Sequence, residues 1–154
     1  MIPTESDHRE DLRRLVGRWQ GIETMMPSRW APAGAAESIV ETELALGGAF
    51  ILQNYRQSRD GAKSFEARAV FGYDDDRRQA VMYLFDAMGY PPEPAYGVVE
   101  GDALVFTRNS PRGQGQHRFT FGEDGSYRLV VRFAPPDGSW GTVMEGAYTL
   151  VPFA

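Results

Sequence analysis

From Gly17 onward the apolar positions alternate with polar ones, and the chain turns at short, regular intervals. Punctuating groups fall at Gly47-Gly48, Asp60-Gly61, Asp74-Asp75-Asp76, Pro91-Pro92, Gly101-Asp102, Pro111 to Gly115, Glu123-Asp124-Gly125 and Pro135 to Gly138. Between them lie strand-like segments at about 18–30, 36–46, 49–58, 64–73, 78–86, 95–100, 103–109, 116–122, 126–134 and 141–151. Period-two alternation bounded by such turn residues predicts antiparallel strands joined by hairpins. No segment offers a crossover helix, so a parallel sheet is not expected. The pattern predicts an all-β fold: an antiparallel up-and-down β-barrel of about ten strands.

The alternation also predicts which residues share a face. In SFEARAVFGY, Phe65, Ala67, Ala69, Phe71 and Tyr73 oppose Glu66 and Arg68. Tyr127, Leu129, Val131 and Phe133 oppose Arg128 and Arg132, and His117, Phe119 and Phe121 oppose Arg118. Strands of this kind cover a core on one side and meet water on the other. AVMYLF, residues 80–85, is apolar on both faces, which leads to an expected cover from the N-terminal helix or from a second copy of the chain in a homodimer.

Before Gly17 the period is helical. Leu12, Leu15 and Val16 share one side. Thr4 or Ser6 would cap the start, Glu5 and Asp7 fall in the first turn, Arg13 and Arg14 in the last, and Gly17 supplies the stop. The expected organisation is one domain over residues 1–154, with 1–17 as helix and lead-in and 18–151 as barrel, a size that buries a core without staples.

Composition narrows the function classes. The net charge is −5 with arginines scattered, so no basic face exists to displace counterions and nucleic-acid binding is not expected. There is no cysteine, which rules out disulfides and thiolate chemistry. The charged start, MIPTESDHRED, lacks the apolar region of a signal peptide, and no apolar run is long enough to span a bilayer as a helix. A cytoplasmic protein without a membrane partner is the expectation.

With the strands placed, the chain resembles a bacterial family, the domain of unknown function 1579. The pieces that carry the resemblance are LVGRWQGIETM, LGGAFILQNYRQSRDG, FGYDDDRRQAVMYLFDAMG, VEGDALVF and MEGAYTL, in order over most of the chain. Leu84 stands where the resemblance leads to an aromatic before Phe85-Asp86. The family is similar to calycin or lipocalin-like barrels, in which a Gly-x-Trp element, here Gly17-Arg18-Trp19, opens the first strand. The resemblance implies a barrel with room for a pocket and implies no activity.

Trp19, Glu23 and Met25 share parity, so a carboxylate is expected to face the lumen with them. Glu23 is then a candidate acid or base if buried; the alternative is a carboxylate at the mouth that reaches water or pairs with a neighbouring arginine. Asp86 ends an apolar strand and either lines the rim or caps the following turn. His117, on a face with Phe119, is a candidate proton carrier or axial haem ligand, against the reading of a hydrogen-bonded core residue. Glu145 is expected to point outward, opposite Met144 and Tyr148. Only His8 joins His117 as an imidazole, so a multi-histidine zinc site is not expected, and Asp74-Asp75-Asp76 lacks a calcium-loop pattern and is expected as a turn. No metal or cofactor is expected.

The leading expectation is a barrel that binds a small, mostly apolar ligand through Trp19, Glu23, Met25, Tyr55, Phe71, Met82, His117 and Phe119. The alternatives are a cofactor-independent isomerase or cyclase using Glu23, Asp86 and His117, a structural dimer with a filled barrel, and haem binding.

Overall fold

A computed structural model describes residues 10–152. Ten strands form a closed antiparallel barrel: β1 (Gly17–Met25), β2 (Gly34–Ala45), β3 (Phe50–Arg59), β4 (Ala62–Asp74), β5 (Gln79–Asp86), β6 (Ala95–Glu100), β7 (Ala103–Ser110), β8 (Gly113–Phe121), β9 (Tyr127–Ala134) and β10 (Gly141–Leu150). Each strand pairs with its sequence neighbours, and β10 closes on β1 with Trp19 opposite Leu150 and Met25 opposite Met144. Closure gives every strand a neighbour on both sides along at least part of its length.

Two boundaries differ from the sequence expectation by more than two residues. β1 ends at Met25 rather than near residue 30. Pro27 has no N–H for a ladder, and after a last bond from the Met26 N–H to the Val143 carbonyl (2.9 Å) the chain leaves the sheet. β8 starts at Gly113, inside the expected turn, because Gly113 to Gly115 pair with Ser110 to Arg108.

The start of the expected helix, with Thr4, Glu5, Ser6, Asp7 and His8, lies outside the described residues. Residues 10–13 are helical. Leu12 and Leu15 from this end are buried in the barrel core, and the Trp19 indole N–H donates to the Leu15 carbonyl at 2.8 Å. A buried indole needs such a partner, and this bond fixes the helix end over one mouth.

Below that plug the lumen is filled by aromatic rings. Phe71, Phe106 and Phe119 meet edge to face with centroids 5.6–6.1 Å apart, Trp19 meets Tyr127 at 4.8 Å, and Tyr127 stacks on Tyr148 at 4.7 Å. Such pairs add about 0.5–1.5 kcal/mol each to the burial of their area. The other half of the barrel is less filled. Its inward-facing residues Met25, Tyr55, Ala67, Leu84, His117 and Val131 remain partly accessible.

The wall is weakest at the open end. β5 and β6 share only two register pairs, Val81 with Tyr96 and Met82 with Ala95. The intervening segment contains Pro91, Pro92 and Pro94, which cannot donate ladder bonds. Residues 83–86 of β5 therefore have a strand neighbour only in β4. On the outer face of β5, Val81 is 6% exposed beside Phe50, whose ring lies across Gly72, while Phe85 is 47% exposed. Among the described residues no helix is long and apolar enough to cross a membrane.

Candidate functional site

Glu23 is 1% exposed and lies at the centre of the lumen's polar cluster. The Tyr55 hydroxyl donates at 2.7 Å from both carboxylate oxygens, Tyr148 donates to Oε2 at 2.5 Å, Ser38 donates to Oε2 at 3.0 Å, and the Gln57 amide donates to Oε1 at 3.0 Å. Four donors match the acceptor capacity of a carboxylate's two oxygens. The amide of Gln57 also reaches Met25 Sδ at 3.3 Å, and its own oxygen accepts from Ser64 at 2.9 Å. Among the described residues, the groups that bond the Glu23 carboxylate are all neutral donors.

Register explains the convergence. Gly21 lies between Ser38 on β2 and Tyr148 on β10, and Ser38 in turn faces Gln57 on β3. Glu23 has Ala36 and Gly146 as its cross-strand neighbours. These small residues leave room for the Tyr148 ring to lean over the carboxylate. A Cβ on Gly21 would meet Ser38 Oγ at 2.2 Å and Tyr148 Cε1 at 2.4 Å. Gly21→Ala is accordingly expected to destabilise the protein by about 2–3 kcal/mol, through overpacking and displaced donors. An unchanged denaturant midpoint in this variant would contradict the close packing described.

Burial first, and then the Glu23 carboxylate, pushes the phenols of Tyr55, Tyr127 and Tyr148 above the ordinary tyrosine range. They stay protonated and remain donors. The chemistry available here is positioning: Glu23 holds the Tyr55 hydroxyl and the Gln57 amide in place, while its own lone pairs are occupied.

The other candidates lie apart from this cluster. No hydrogen bond joins any two of Glu23, Asp86 and His117 among the described residues. Asp86 Oδ1 accepts the Met88 N–H at 2.9 Å and caps the turn after β5. His117 faces inward from β8, in register with Phe106 and Val131 and tilted against Phe119. Burial, with the Arg108 charge as a smaller cause, lowers its pKa to about 3, although the residue as a whole is not fully buried. A neutral imidazole is the form expected at neutral pH. Trp19, Phe71, Met82 and Phe119 are packed into the filled half, whereas Met25 and Tyr55 border the open half. Glu145 is exposed, with Met144 and Tyr148 inward. Asp74 Oδ1 accepts the N–H groups of Asp76 and Arg77 in a turn, and the described residues hold no cluster of three metal-ligating side chains.

Ser38, Gln57 and Arg108 are not marked by the sequence pattern, which places Tyr148 only on the inward face with Met144, not in a site. Each has the inward parity of its strand, and that parity is the signal that could have found them.

Residues 26–33 fold back toward the open mouth. Trp30 meets Phe133 edge to face at 4.8 Å, Arg29 lies over both rings, and Arg59 donates to the carbonyls of Pro32 and Ala33 at 2.9 and 3.1 Å. A surface cleft of about 380 Å³ lies at the opposite end, between Leu12, Phe50, Phe71, Tyr73 and Asp75.

These features define the class of protein: a closed, calycin-like antiparallel barrel with one half filled and a buried carboxylate–phenol cluster between the halves. The chain belongs to the family described as "Protein of unknown function (DUF1579)", which it matches over residues 4–149. No curated protein matches it. Among solved structures it is similar to Rv2717c from M. tuberculosis, with TM-score 0.69 and 10% identity over 93% of this chain and 96% of that one. It is also similar to the S-type phycobiliprotein lyase CPES from Guillardia theta, with TM-score 0.68 and 13% identity over 97% of this chain and 98% of that one. At these identities the likeness is one of fold.

Proposed function

We propose that this barrel binds a small, mostly apolar molecule in its open half. The observation that carries this reading is the uneven filling of the lumen. Side chains facing inward at Met25, Tyr55, Ala67, Leu84, His117 and Val131 keep accessible surface, while Trp19, Phe71, Leu104, Phe106, Phe119 and Tyr127 beneath the plug keep almost none, and Tyr73 and Phe121 at the rim of that end are partly accessible. An apolar wall with a few fixed polar points is the usual make-up of a small-molecule site. Tyr55 and Gln57, held by Glu23, and the imidazole of His117 would supply those points. The shared fold with a protein named as a phycobiliprotein lyase supports a lumen that handles a small molecule.

The test is fluorescence titration with N-phenyl-1-naphthylamine, an uncharged apolar probe that brightens out of water. Saturable one-site binding is expected. Ala67→Trp, which places an indole in the open half, is expected to weaken it at least tenfold. Arg68→Trp, on the outer face of the same strand, is expected to leave it unchanged. Equal binding in the wild type and Ala67→Trp, or no binding at all, would sink the proposal.

A further inference from the structure

We propose that Arg108 anchors an anionic group, such as a carboxylate or sulfonate, on the apolar molecule held in the open half; this rests on the binding reading above and specifies the ligand as an amphipathic anion. Arg108 has the inward parity of β7, two residues beyond the fully buried Phe106. Its register partner on β8 is Gly115, and a Cβ there would come within 2.8 Å of Arg108 Nε. The guanidinium thus lies across β8 in the space that the glycine leaves. It also sits where β5 and β6 part, at the open end of the wall.

Among the described residues, no hydrogen-bond acceptor is paired with its N–H groups and no carboxylate oxygen lies within 4.0 Å of them. On the outer face, by contrast, Arg56 and Arg118 pair with Glu41 and Glu100 at 3.1 Å. The inward polar groups Glu23 and Gln57 are likewise bonded. Asp86 and Glu93 act on Arg108 only from a distance, and Arg112 adds a second positive charge on the same side. Burial is the main cause that lowers the pKa of Arg108, which nonetheless remains a cation. A guanidinium partly withdrawn from water, with Asp86 and Glu93 acting on it only from beyond ion-pair distance, is incompletely compensated. Its forked donors match a carboxylate or sulfonate. The neighbouring His117 offers an uncharged ring N–H beside it, and Phe106, Leu84 and Val131 supply the apolar surround.

The experiment compares N-phenyl-1-naphthylamine with 1-anilinonaphthalene-8-sulfonate, which has the same aromatic skeleton plus one anionic group. The sulfonate is expected to bind the wild type about tenfold or more tightly, the effect of a charge-assisted hydrogen bond. Arg108→Met should abolish that preference and leave the uncharged probe within about twofold, and Arg108→Lys should keep part of it. A readout that needs no variant is displacement of the uncharged probe from the wild type, with decanoate expected to be at least tenfold more effective than decanol. If both probes bind equally and decanoate matches decanol, the Arg108 assignment is overturned and the binding reading stands. If the sulfonate keeps its advantage in Arg108→Met, the anion site lies elsewhere and the assignment is likewise overturned. If neither probe binds, both are overturned.

Discussion

Glu23→Ala is expected to lower the stability of the protein by about 4 kcal/mol, the largest single-residue effect in the barrel. The carboxylate accepts from Tyr55, Tyr148, Ser38 and Gln57, and all of these sit in or beside the core. Removing it leaves four donors facing a cavity. Each buried donor without a partner costs about 1–3 kcal/mol, partly recovered if water fills the space or Gln57 turns back to Ser64. For a domain of this size the melting temperature should fall by about 10 °C. Glu23→Gln isolates the cause, since it keeps the volume but replaces one acceptor oxygen with an amide donor aimed at other donors. A loss of about 2 kcal/mol is expected from it. Thermal and denaturant unfolding of the two variants are the measurements. If Glu23→Gln melts with the wild type, the donors do not depend on the charge of the carboxylate, and a positioning role for Glu23 is excluded.

The strand pattern was legible because an alternating strand records its own facing. Trp19, Glu23 and Met25 share a parity, and the structure places all three on the lumen side of β1. The same parity put Tyr127 and Leu129 on the core side of β9 and Glu145 on the outer face of β10. What a single strand does not record is the register between strands. Glu23 and Tyr148 are 125 residues apart, and their hydrogen bond depends on how β1 and β10 are staggered when the barrel closes. Ser38 and Gln57 were invisible as partners for the same reason. The end of β1 was readable in principle at Pro27, but the apolar Met26 and Trp30 extended the pattern past it. Trp30 instead serves the loop at the mouth, against Phe133. The segment 80–85 has apolar residues on both faces, and part of the explanation is internal: outward Val81 is covered beside Phe50.

His117 should make the protein acid-sensitive over a pH range in which most carboxylates are still ionised. Its pKa is lowered to about 3 in the folded barrel, mainly by burial and further by the Arg108 charge, against an unfolded value of about 6.5. Between these two values the unfolded chain binds a proton at this site that the folded chain does not. Stability therefore rises with pH across that window and is lost as pH falls from about 6.5 toward 3, with a limiting slope of about 1.4 kcal/mol per pH unit from this one group. The residue as a whole keeps some accessible surface, so a loss of about 2 kcal/mol by pH 4.5 is expected. Arg108 is the charged neighbour identified as acting on the ring; Phe106, Phe119 and Val131, the strand neighbours around it, do not titrate. The comparison is denaturant unfolding of the wild type and His117→Leu from pH 7.5 to 4.5. Subtracting the two profiles cancels the carboxylates common to both, and the wild type should fall behind the variant progressively below pH 6.5. Parallel profiles would show that the imidazole is as readily protonated in the folded barrel as in water, and hence that the open half is wet enough to solvate a charge there. That outcome would also count against an apolar ligand site around His117, because a site able to hydrate an imidazolium offers little gain for burying an apolar group.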